Sequence, residues 1–163
     1  MSALRYVWSR RITRIVGKVS RGYCQTCGEG GRMNEQGWEI GVIELFYADL
    51  AAAKAFYQNV FGLEVDREDD TSVSFVLGEL VVILLTMDSA RELVEPLPVA
   101  AAGAGARACF TIGVPDVDAV CSELTGRGVE PINGPVQRSW GPRAAYFADP
   151  GGYVFEFVTR KRD

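Results

Sequence analysis

Histidine is absent from all 163 residues. That one absence excludes the Ser-His-Asp and Cys-His forms of nucleophilic catalysis and removes the commonest ligand for zinc, iron or nickel. Chemistry in this chain must rest on carboxylates, thiols, hydroxyls or amides. Cysteine is scarce too: Cys24, Cys27, Cys109 and Cys121 are too few and too unevenly placed for a disulfide scaffold, so free thiols are expected. The pair in "CQTC" has the spacing of half a zinc site, but no second Cys or His pair accompanies it. No run of about 18 apolar residues occurs, which argues against a membrane-spanning helix. Residues 1–32 lack the apolar centre of a secretory signal, so a cytoplasmic protein is the expectation.

Charge is unevenly distributed. Residues 1–32 carry seven basic residues against Glu29 alone, net +6; residues 33–163 carry ten against twenty, net −10. This shift, beside the Gly-rich "CGEGGRM", predicts a basic N-terminal extension over 1–37 and a compact domain over 38–160. The extension has no clean hydrophobic period. It reads as a basic arm for nucleic acid, an Arg-rich targeting peptide, or a poorly ordered stretch ahead of a true start at Met33, and the last is expected. Nucleic acid and membrane are therefore not expected as partners.

Beyond Met33 the pattern is regular. "WEIGVIELFYA" (38–48) alternates and is rich in β-branched and aromatic residues, as a strand requires. Asp49 stands at an N-cap, and Ala53, Phe56, Tyr57, Val60 and Phe61 recur at helical spacing until Gly62. "LEVDRED", "SVSFVLG" and "ELVVILLTM" follow as three short strands, with a tight turn at Gly78. The second half repeats this order. "ARACFTIGV" is a strand, Asp116 caps a helix with Val117, Val120, Cys121 and Leu124 on one face, and strands are predicted near 134–139, 143–148 and 153–159. "EPLPVAAAGAGA" between the halves has linker composition. The expected class is α+β: two βαβββ modules, about 38–88 and 106–160 with a linker over 89–105, forming curved mixed sheets around a cavity.

In "FADPGGYVFEFVTR" one acid, Glu156, sits between Phe155 and Phe157. Alternation places Val154, Glu156 and Val158 on one face of the last strand and the two phenylalanines on the other.

"YADLAAAKAFYQNVFGLEV", "VPDVDAVCSELTGRGVEP" and "WGPRAAYFADPGGYVFEF", in this order and spacing, resemble the vicinal oxygen chelate superfamily, which includes glyoxalase I, extradiol dioxygenases and the fosfomycin- and bleomycin-resistance proteins. The resemblance spans about residues 38–160. It implies the tandem fold strongly and the chemistry weakly, because that scaffold hosts several activities. Its metal enzymes imply four inward ligand positions. Matched by motif, these fall on Val42, Leu84, Cys109 and Glu156, of which only Glu156 is a usual ligand. No metal and no cofactor are expected, unless Cys109, Glu156 and Glu44 form an unusual set.

What remains is a ligand pocket. Val42, Glu44 and Phe46 on the first strand, with Leu84, Cys109, Trp140 and Glu156, are the candidate binding residues. Glu156 and Glu44 are the candidate acid–base groups. A carboxylate among such apolar walls needs a cation or hydrogen-bond donors for compensation. Cys109 is expected to be a small buried core residue, and Arg143 to meet an anionic ligand or a surface acid. Three functions fit: a metal-independent binding protein for a small molecule, a metal-independent lyase or isomerase using Glu156 or Glu44 as base, and a structural dimer with a vestigial cavity. The resemblance also implies a homodimer.

Overall fold

The structure, a computed structural model, describes residues 40–78, 80–137, 139 and 141–159. The basic extension and Trp140 lie outside the described residues. The first half comprises β1 (Val42–Tyr47), α1 (Leu50–Phe61), β2 (Val65–Asp69), β3 (Ser72–Leu77) and β4 (Leu80–Thr86). An eight-residue helix, α2 (Met87–Val94), and a short 3-10 turn (Ala102–Ala104) lead to the second half. That half comprises β5 (Cys109–Val114), α3 (Val117–Gly126), β6 (Asn133–Gln137), β7 (Arg143–Ala148) and β8 (Val154–Thr159). The βαβββ repeat is therefore present twice. The sheets have matching strand orders, β1-β4-β3-β2 and β5-β8-β7-β6, with the first pair parallel and the others antiparallel.

Local chemistry sets the helix ends. The Asp49 side chain accepts from the Ala52 amide at 2.8 Å, satisfying one of the unpaired donors of the first turn. Gly62 closes α1 in the left-handed region at φ 62°, where its amide donates to the Gln58 carbonyl at 3.1 Å. Asp116 caps α3 in the same way as Asp49, accepting from the amides of Asp118 and Ala119. The helix α2 was not expected. Thr86 ends β4 and caps α2 through its hydroxyl, so strand passes to helix without a glycine or proline to mark the change.

One hydrophobic core serves both halves. Leu45, Tyr47, Phe75, Val82 and Leu84 from the first sheet join Phe147, Phe155 and Phe157 from the second, with Tyr57 of α1 and Leu124 of α3. The helix α1 is the wedge between the halves: the Phe61 ring lies 4.9 Å from Phe155 and Tyr57 lies 6.0 Å from it, both edge-on or tilted as aromatic pairs prefer.

A buried polar network joins the halves as well. The Tyr47 hydroxyl donates to Asp149 Oδ2 at 2.5 Å and, having spent its only proton, accepts from the Tyr57 hydroxyl at 3.2 Å. Asp149 Oδ1 accepts from the Gly151 and Tyr153 amides, each at 2.9 Å. Burial pushes the Asp149 carboxyl above the usual carboxylate range, against the pull of these hydrogen bonds, and raises both tyrosines. Gly151 is required by proximity: a Cβ there would meet the Tyr47 ring at 2.6 Å. Among the described residues no helix is long and apolar enough to cross a membrane.

Candidate functional site

Strand register decides which side chains share a face. In the first half Val42 faces Val81 and Glu44 faces Ile83; in the second Cys109 faces Val154 and Thr111 faces Glu156. The antiparallel neighbours complete each row, Ser74 beside Ile83 and Tyr146 beside Glu156. Two corresponding rows result, Glu44–Ile83–Ser74 and Thr111–Glu156–Tyr146. Each lies on the face of its sheet turned away from the common core, whose members Leu45, Leu84, Phe155 and Phe157 occupy the opposite faces.

This register corrects two expectations. Leu84 is not on the face of Val42 and Glu44; it is fully buried in the core, and Ile83 is the position that corresponds to Glu156. Nor do Glu44 and Glu156 share one hollow with it, because they stand on the outer faces of two different sheets. Val42 and Phe46 pack with Val81, Ile83 and Leu85 in a separate small cluster on the first of those faces. Cys109, expected in the core, is exposed, on the Glu156 side of β5. Burial and the nearby Glu156 charge raise its thiol, which makes it a poorer nucleophile. Arg143 meets a surface acid: its Nε and Nη2 each donate to Asp118 at 2.6 Å, and this pairing holds the Asp118 carboxyl below its ordinary range.

Glu156 is half-buried and held at both oxygens. The Tyr146 hydroxyl donates to Oε1 at 2.6 Å and Thr111 Oγ1 donates to Oε2 at 2.7 Å. Two short donors fix the carboxylate plane and leave further lone pairs for a partner. Neither Thr111 nor Tyr146 was identified from sequence, since both are visible only through cross-strand register.

Between the halves lies a cavity of about 290 Å³. Its walls include Ile43, Leu45, Val82, Phe110 and Phe155, and Cys109 and Thr111 of β5 also line it. It is larger than the roughly 150 Å³ apolar cavity known to accept benzene. Glu156 and Tyr146 do not line it, since the cavity lies on the core face of β5 and β8 and the Glu156 row on the other.

The metal of the superfamily's enzymes does not fit this donor set. The four corresponding positions are Val42, Ile83, Cys109 and Glu156, and two of them offer no donor atom at all. Among the described residues no three His, Cys, Asp or Glu side chains are grouped to hold a metal ion, so Cys109, Glu156 and Glu44 do not form the unusual set either.

Glu44 has a different environment. Burial raises its carboxyl, and among the described residues no charged or hydrogen-bonding partner offsets the cost. A folded value above the unfolded one means that ionising Glu44 opposes folding. The penalty is absent below the unfolded value of about 4.3, grows as pH rises through it, and is complete above the folded value. Glu44→Gln is expected to melt higher than the parent at pH 8, with an advantage that shrinks towards pH 4. Melting curves of both proteins across that range check this, and a pH-independent difference would contradict it.

Comparisons with known proteins agree with the fold. The model of the Glyoxalase/Bleomycin resistance protein/Dioxygenase superfamily matches residues 39–157. A glyoxalase/bleomycin resistance protein/dioxygenase from Nocardioides superposes with a TM-score of 0.69 at 21% identity, covering 86% of this chain and 91% of that one. Lactoylglutathione lyase from Agrobacterium tumefaciens gives 0.58 at 28% identity, covering 74% and 92%. A glyoxalase-related enzyme from Fulvimarina pelagi gives 0.64 at 19%, covering 75% and 88%. No curated protein matches the chain. With three-quarters of its length matched in sequence and the tandem fold in place, the chain belongs to the glyoxalase/bleomycin resistance protein/dioxygenase superfamily.

Proposed function

We propose that this protein binds a small, partly aromatic and cationic molecule without a metal, in the manner of the bleomycin-resistance branch of its superfamily. The observation that carries the reading is the half-buried Glu156 carboxylate on the outer face of the second sheet, held at both oxygens by Tyr146 and Thr111. A carboxylate oriented by two donors, with lone pairs to spare, is suited to receive a cationic group. The same reading makes the protein a cytoplasmic homodimer in which a second copy covers the outer faces. It is supported by the two open four-stranded sheets, whose edge strands β1 and β5 each have one ladder partner among the described residues.

The test is a thermal-shift screen of chelator-treated protein with bleomycin and small aromatic cations, alongside metal content by mass spectrometry. A ligand that prefers the folded state raises apparent stability. Stabilisation that survives chelation is expected; stabilisation that returns only with added metal would overturn the reading.

One second reading has an observation in its favour. The likeness to the Agrobacterium lyase, with the short Tyr146–Glu156 hydrogen bond, suits a lyase or isomerase with Glu156 as general base and Tyr146 as its proton partner. Turnover lost in Glu156→Gln while binding persists would support it.

A further inference from the structure

The cavity between the halves takes no part in the Glu156 reading. Its deep end is built by Leu45, Tyr57, Val82 and Phe155, all buried, from both sheets and α1. Leu77, Leu80 and Phe110 also line it, are only partly buried, and give it a way in beside the β3–β4 turn. Protein interiors are close-packed, and few of their voids exceed a water molecule. A volume of about 290 Å³ between sheets that otherwise share one core therefore calls for an occupant. Water is a poor one, because a buried water needs about three hydrogen-bonding partners. Of the two hydroxyl-bearing residues in the wall, Thr111 donates to Glu156 and Tyr57 donates to Tyr47.

We infer that this core-face cavity is a second binding site, which takes an uncharged aromatic molecule of about two fused rings. Size follows from volume: the cavity is about twice the roughly 150 Å³ that accepts one benzene ring. Charge is excluded by the wall. None of the described residues lining it is acidic or basic, so an ion seated there would lose its hydration without gaining a partner. The rings already present favour an aromatic over an aliphatic occupant. Phe155 stands edge-on to Tyr57 at 6.0 Å and tilted to Phe110 at 5.5 Å, and a further ring can join them edge-on or offset, which adds to the gain from apolar burial alone. This inference goes beyond the Glu156 reading and does not rest on it, because the cavity and the carboxylate lie on opposite faces of the second sheet.

The experiment is equilibrium dialysis of the full chain against naphthalene, naphthoate and naphthylmethylammonium. Naphthalene is expected to bind at least about tenfold more tightly than naphthoate, since only the ion must give up its hydration. Val82→Phe fills the deep end and Leu80→Phe narrows the way in, and each should weaken naphthalene binding by about tenfold or more. Leu80 is partly buried, so its variant keeps the test open if Val82→Phe fails to fold. Naphthalene should also raise the melting temperature of the parent and leave that of the filled variants unchanged. Glu156→Gln should keep naphthalene affinity to within about twofold, a change too small for the loss of a contact. The inference is overturned by no naphthalene binding, by equal binding of naphthalene and naphthoate, or by affinity unchanged in the folded filling variants. Naphthalene affinity lost in Glu156→Gln, or naphthalene displaced by naphthylmethylammonium, would place the ring on the outer face, overturning this inference while leaving the Glu156 reading intact.

Discussion

Replacing Phe155 by alanine is expected to destabilise the protein by about 3–5 kcal/mol, the cost of emptying a large aromatic site in a core. Phe155 is 3% exposed and touches both halves, with Phe61 and Tyr57 of α1 on one side and Phe110 of β5 at 5.5 Å on the other. Its loss leaves those rings without contacts where the halves meet, and it also enlarges a cavity that Phe155 already lines. Urea unfolding followed by circular dichroism reads the effect directly, and a fall in melting temperature of roughly 10–15 °C should accompany it. Val158→Ala, on the same strand but the outer face, serves as the control and should cost about 1 kcal/mol or less. Similar losses from the two variants would mean that the shared core is not where the halves are held.

Asp149→Ala is expected to cost a comparable 3–5 kcal/mol by a different cause. Three donors, the Tyr47 hydroxyl and the Gly151 and Tyr153 amides, would lose their acceptor inside the junction. Asp149→Asn should lose about half as much. Its carbonyl oxygen still serves the two amides, and it removes a carboxyl whose ionisation burial disfavours. Denaturant titrations of the two variants give the comparison. Equal effects from Asn and Ala would show that the charge at Asp149, rather than its accepting geometry, is what the junction needs.

How far the sequence is legible follows from the same residues. The caps at Asp49 and Asp116, the stop at Gly62 and the alternation of β8 depend on local chemistry, and each is found in the structure as read. The face of β4 is not local information. Val81, Val82, Ile83, Leu84 and Leu85 are all buried, on two different sides of the sheet, so the run has no alternation to show which residues point where. A shift of one residue turns every side chain over, which is how Leu84 stood in for Ile83. Thr111 and Tyr146 were missed for the same reason. They lie 45 and 10 residues from Glu156 in the chain, and only the β5–β8 and β7–β8 ladders make them its neighbours. The Glu156 position itself was legible because the Asp-Pro-Gly-Gly turn fixes the start of β8 and the flanking phenylalanines fix its inward face.

The measurement that tests the central claim most directly is the affinity of chelator-treated protein and its Glu156→Gln variant for the ligand that most stabilises the parent in the thermal-shift screen. Loss of the carboxylate's charge, with Tyr146 and Thr111 left in place, is expected to weaken binding about tenfold or more. Affinities within twofold of each other would contradict a binding role for Glu156.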